Sequence, residues 1–175
     1  MGKANVLAVL LTLPVLVALA TVFAARWGWP LVGRGLLAFL SWHVAVPATL
    51  LGIVAHEAIH AIAWAVASRR SLRAIEVGVQ WRQLTPFAHP RDPMAARPYR
   101  IGAAMPGLVL GIFPATAAIL LGWPMLLIFG LVFTMAAGGD VLVLWLIRRV
   151  PPSQPVQDHP TRAGCVVLED VGTSP

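Results

Sequence analysis

Charge is scarce in this chain: 11% of residues are charged, where a soluble globular domain carries about a quarter, and the shortage excludes a water-soluble fold. Acidic side chains are scarcer still, with seven Asp and Glu against 13 Lys and Arg. A single cysteine, Cys165, excludes an intramolecular disulfide framework and supplies no thiolate cluster for a metal. Nothing beside it in the sequence activates the thiol, so it reads as a small tail residue. No repeat of about 20 to 50 residues is present. The chain is instead 58% hydrophobic. Four apolar runs stand out, Ala4 to Ala25, Leu36 to Ala67, Ile101 to Leu121 and Met125 to Ile147. A helix needs roughly 20 such residues to cross a bilayer. The runs therefore predict an all-α polytopic membrane protein of about four transmembrane helices, embedded in lipid.

The first run follows Lys3 and contains Ala18-Leu19-Ala20, an arrangement that mimics a secretory leader. It is longer than the roughly 7 to 15 apolar residues of a leader, so it reads as a retained anchor. The basic excess raises the question of a nucleic-acid partner. Threading the four runs alternately through a bilayer leaves only Arg26 and Arg34 on one side and every other Lys and Arg on the opposite side. That asymmetry is the positive-inside pattern. It points to cytoplasmic termini and no nucleic-acid partner.

The second run has 32 residues and would measure about 48 Å as one helix at about 1.5 Å per residue, too long for one upright crossing. Pro47 and Gly52 are the expected bends, with Leu36 to Ala45 near the outer interface and the crossing from about Val46 to Ala67. Ser68 to Arg100 is polar, is interrupted by Pro86, Pro90, Pro93 and Pro98, and reads as a cytoplasmic loop. Within it Glu76, Gly78, Gln80 and Arg82 alternate with Val77, Val79 and Trp81, which predicts a short strand with one buried face beside the membrane. Such a strand serves packing, or offers its edge to an extended peptide. After Arg149 the residues Pro151, Pro152, Pro155 and Pro160 preclude a helix, and Gly164 to Glu169 predicts one more short strand. The expected division is 1–150 as a transmembrane unit and 151–175 as a cytoplasmic tail.

His56-Glu57-Ala58-Ile59-His60, an HExxH pattern, lies in the inner half of the second run. Residues four apart stack on one helix face, so both imidazoles can reach one ion while Glu57 addresses a water beside it. Zn2+ suits imidazole, and in catalytic sites it takes three protein ligands and keeps one position open. Such groups are costly in hydrocarbon unless they pair, bind an ion or face a cavity. The competing reading is a set of polar side chains that satisfy one another inside a helix bundle. His60 lies nine residues before Arg69 and Asp140 eight before Arg148, which puts both about 12 to 14 Å inside the cytoplasmic boundary. His43 is 13 residues from His56, about 20 Å along a continuous helix, too far for a shared ion. Asp140 is thus the expected third ligand, with His89 and the pair Asp158-His159 as outside candidates should loop or tail fold back. Gly138 and Gly139, just before Asp140, leave room for another helix or a substrate backbone.

With these residues in hand, the chain resembles the site-2 protease group of intramembrane zinc metalloproteases, and more closely a bacterial family of membrane zincin peptidases. The resemblance rests on HEAIH at 56–60, the proline-rich loop before Tyr99-Arg100, Pro106-Gly107 in the third run, Gly139-Asp140 in the fourth and Asp158-His159-Pro160 in the tail. It implies zinc held by His56 and His60, Glu57 as the base, and a late membrane aspartate, matching Asp140, as third ligand. It also implies a hydrolase in a bacterial inner membrane acting on a membrane-protein or peptide substrate. Two other classes compete: a non-catalytic membrane metal-binding or interaction protein, and a proton path through His43, His56, Glu57 and Asp140. Glu57 discriminates, because a site that only stores metal has no use for a carboxylate there.

Overall fold

The computed structural model describes residues 2–81, 85–159 and 164–168, so expectations placed on Arg82, Pro160, Arg162 and Glu169 lie outside the described residues. Helix α1 spans Gly2–Trp27, α2 Trp29–Leu40 and α3 Trp42–Ser68. Strands β1 (Ile75–Gln80), β2 (Thr85–Pro90) and β3 (Met94–Ala95) follow, then α4 (Ala96–Pro106), a π-helical stretch Gly107–Ile112 and α5 (Phe113–Leu121). Helices α6 (Pro124–Ala136) and α7 (Gly138–Leu146) precede β4 (Pro155–Asp158) and β5 (Cys165–Val167). The protein is mostly helical. Three helices are long and apolar enough to cross a membrane: α1, α3 and the continuous run Ala96–Leu121. Helices α6 and α7, bent by 44° at their junction, make up to four if counted as one span.

The long second run breaks at Ser41, which corrects the expectation of bends at Pro47 and Gly52. Ser41 adopts an extended backbone, φ −60° and ψ 130°, its hydroxyl donates to the Ala38 carbonyl at 2.6 Å, and its own carbonyl accepts from Val44 and Ala45 to start α3. Pro47 lies in the second turn of α3, which runs on through it at the loss of one backbone bond. Gly52 stays helical because it serves packing: a Cβ there would lie 1.9 Å from Cζ of Phe133 on α6.

Leu37, Leu50, Leu51, Val66, Leu120 and Leu121 point outward and exposed, as lipid-facing side chains do. Tryptophans mark the helix ends. Trp27, Trp29, Trp42 and Trp123 are exposed at the α1–α2, α2–α3 and α5–α6 junctions, the places where indoles favour a membrane–water interface. Trp27 also donates its Nε1–H to the Ile119 carbonyl at 2.9 Å, tying α1 to α5.

At the other end of the helices lie two small antiparallel sheets, β1-β2 and β3-β4-β5. The alternating strand foreseen around residues 76–82 is β1, but its apolar face is not buried: Val77, Val79 and Trp81 are exposed and only Ile75 reaches the core. A two-stranded hairpin is covered only where a helix lies on it, and α3 covers the end carrying Ile75, Ala88 and Pro90. Beneath the sheets Ala61, Trp64 and Ala65 of α3 pack with Ile75, Ala88, Met94, Tyr99, Ile147 and Val156. The segment after Arg149 is built into this end. The Gln154 and Pro152 carbonyls accept from the Ala96 and Arg97 amides, each at 2.9 Å, satisfying donors that a helix start leaves open.

Candidate metal centre

His56 and His60 stand one turn apart on α3, their ring centroids 4.8 Å apart. Asp140 meets them from the first turn of α7, where the bend after α6 opens a helix N-terminus and the helix dipole favours a carboxylate. Its Oδ2 lies 3.2 Å from His56 Nε2 and its Oδ1 3.3 Å from His60 Nε2. The Gly102 carbonyl accepts from His60 Nδ1 at 3.0 Å, which puts a ring proton on Nδ1 and turns Nε2 toward Asp140. A proton or a metal ion at Nε2 would each satisfy the facing carboxylate. The three ligand atoms lie within 4.8 Å of one another. The two imidazole nitrogens face the two oxygens of a single carboxylate. The donor set, two imidazoles and a carboxylate, thus fits one zinc ion.

Two residues that sequence reasoning passed over support His60. Trp64, one turn further along α3, stacks on its ring at 4.8 Å with planes 13° apart and donates its Nε1–H to the Tyr99 carbonyl at 3.0 Å. Gly102 makes the stacking possible, because a Cβ there would lie 2.0 Å from Cδ1 of Trp64. The spacing of Trp64 four residues after His60 was the available signal.

Glu57 faces the same space, within hydrogen-bond reach of the Ala88 backbone amide. Proline explains why that amide is free. Pro86 and Pro90 pair with Val79 and Ile75 across the hairpin, and lacking N–H groups they occupy positions that exchange no hydrogen bonds with β1. By alternation Ala88, paired with Val77, is of the same kind, so its amide turns away from β1.

A cavity of about 290 Å³ joins these groups and is lined by His56, Glu57, His60 and Asp140 together with Phe87, His89, Tyr99, Asp158 and His159. Gly139 also lines it, and a Cβ there would meet nothing within 4 Å, so the glycine faces open space. Asp158 accepts the Tyr99 hydroxyl proton through Oδ1 and a hydrogen bond from His89 Nδ1 through Oδ2 at 2.8 Å. That bond holds His89 above the usual imidazole range against the opposing effect of burial. A second cavity of about 200 Å³ is lined by apolar residues of α1, α4 and α7, among them Leu11, Ala104 and Val141, and also touches Asp140. The carboxylate therefore separates a polar space from an apolar one.

The structure brings together His56, Glu57, His60 and Asp140. His43 lies elsewhere, at the start of α3, its ring edge-on to Trp42 at 5.9 Å. His89 and Asp158, the outside ligand candidates, pair with each other on the cavity wall, and His159 lines the same cavity. Cys165 is half-buried in β5, and burial pushes its thiol up, which makes it a poor nucleophile.

An apolar helical scaffold with an HExxH turn and an aspartate converging beside a polar cavity defines a membrane-type protein with a zincin-like site. The chain belongs to the family described as "Putative zincin peptidase", whose profile matches residues 49–154, a stretch that includes His56, Glu57, His60 and Asp140. No curated protein and no solved structure matches the chain. The matching family profile does not extend the likeness to site-2 proteases.

Proposed function

We propose that this protein is a zinc metallopeptidase that hydrolyses a peptide bond in a membrane-embedded or membrane-proximal segment. The observation that carries the reading is the approach of both Asp140 oxygens to the Nε2 atoms of His56 and His60, at 3.2 and 3.3 Å, beside the Glu57 carboxylate. His56, His60 and Asp140 are the residues to hold Zn2+. Bound there, zinc would supply Lewis-acid polarisation of the scissile carbonyl and acidify a water. Glu57 takes the proton of the attacking water and returns it to the leaving amine, with the Ala88 amide orienting its carboxylate. Gly139 leaves room for a substrate backbone against the cavity wall, and the apolar cavity on the far side of Asp140 suits a greasy neighbouring side chain.

The basic loop and both sheets share one end of the helices, which supports a cytoplasmic mouth, cytoplasmic termini and residues 151–175 on that side of a bacterial inner membrane. The partners in this reading are the surrounding lipid and a polypeptide substrate.

Purified protein in liposomes with a membrane-tethered peptide reporter tests the proposal. Wild type should hold zinc, and His60→Ala and Asp140→Ala should lose it. Glu57→Gln should retain zinc while cleavage falls about 10²- to 10⁴-fold. Equal cleavage by wild type and Glu57→Gln would reject hydrolysis at this site and leave a metal-binding protein.

A further inference from the structure

The cavity wall carries a second cluster of titratable groups that the metal set does not use. Asp158 arrives on β4 and divides its oxygens between the buried Tyr99 hydroxyl and His89 Nδ1. Its acceptor role requires a proton on His89 Nδ1. The other nitrogen, Nε2, has no partner among the described residues. His89 directly follows Ala88, whose amide meets Glu57, so the ring hangs at the rim of the same cavity, one residue from that contact. The charged groups that face it are Asp158, Glu57 and Glu76, all acidic, an environment that favours the imidazolium and hence a donor at Nε2. The His89 side chain is 56% exposed, so its ring is open to a molecule in the cavity.

Building on the peptidase reading, we propose that His89 is a second catalytic residue, donating its Nε2–H to the scissile carbonyl oxygen as negative charge builds there. Asp158 and Tyr99 are positioning residues. As the water oxygen bonds to the carbonyl carbon, the C=O π pair moves onto the oxygen that His89 contacts, and the water proton goes to Glu57. When the C–N bond breaks, that proton moves from Glu57 to the leaving nitrogen, the carbonyl re-forms, and His89 keeps its own proton throughout. Such a donor strengthens its bond only in the transition state, which is where it accelerates the reaction.

The test compares two probes on the zinc-loaded protein. Acetohydroxamate is a flat chelator, whereas a phosphinic pseudopeptide with apolar side chains presents a tetrahedral anionic centre. His89→Ala should weaken phosphinate binding on the order of 10²-fold while zinc content and acetohydroxamate binding stay as in wild type. Asp158→Asn should weaken the phosphinate less, and His89→Gln, which keeps a donor, should restore part of the loss. Unchanged phosphinate binding in His89→Ala would overturn the assignment. So would an equal loss for both probes, which would mark a merely structural ring. Failure of the peptidase reading looks different: wild type itself would then bind acetohydroxamate but not the phosphinate, and the assignment would fall with it.

Discussion

His60 is constrained on three sides, by the Gly102 carbonyl, the Trp64 ring and the Asp140 carboxylate. Partners behind a metal ligand set its tautomer and tilt, and losing one typically costs 10- to 100-fold in metal affinity, by about that order. Trp64→Ala should therefore raise the zinc dissociation constant roughly tenfold or more, read by competition with a chromogenic chelator, and should destabilise the protein by about 3 to 5 kcal/mol. His89 gives a pH dependence. Its pairing with Asp158 raises the folded-state value above the unfolded one, so the stabilisation is complete below about pH 6.5 and fades as pH climbs through the folded value. The melting-temperature gap between wild type and His89→Ala should be widest at the acidic end and close on the alkaline side. The HEAIH turn was legible because helix spacing alone aligns its imidazoles, and counting residues from Arg69 and Arg148 brought Asp140 to the depth of His60. Gly102 was not legible, since a glycine in an apolar run carries no mark of the ring it lets in, whereas the i, i+4 spacing of Trp64 from His60 was a signal passed over.

Among the elements, α3 does most to position the site, and its fit against α6 is tight. Gly52→Ala would drive a methyl into the Phe133 ring; overpacking of this kind costs about 1 to 3 kcal/mol, and the melting temperature of the variant in detergent should drop accordingly. Zinc content at low temperature should hold, because the clash lies one turn before His56. The break at Ser41 was hidden by the louder signals of Pro47 and Gly52, both of which the helix accommodates. A period of two revealed β1, yet its exposed face depends on how far α3 reaches, a tertiary matter. Strand β4 went unread because Pro155 and a four-residue length give periodicity nothing to act on.

For the whole molecule, the four apolar runs became three long helices and a bent pair, and composition alone says nothing of the 44° turn that brings Asp140 to α3. Residues 151–159 join the rest through β3-β4 pairing, the α4 start and Asp158. Truncation after Val150 should leave a membrane-inserted protein that still binds zinc, but with a lower melting temperature and with the Tyr99 hydroxyl deprived of its acceptor. A truncated chain that melts like wild type would show these contacts to be idle. The prolines of β2 bear on the assembled bilayer as well. The outward rim of that strand offers carbonyls but a single amide, and Glu57 already engages it. Two copies meeting along β2 would find almost no donors to exchange, so that edge resists zipping to a neighbour.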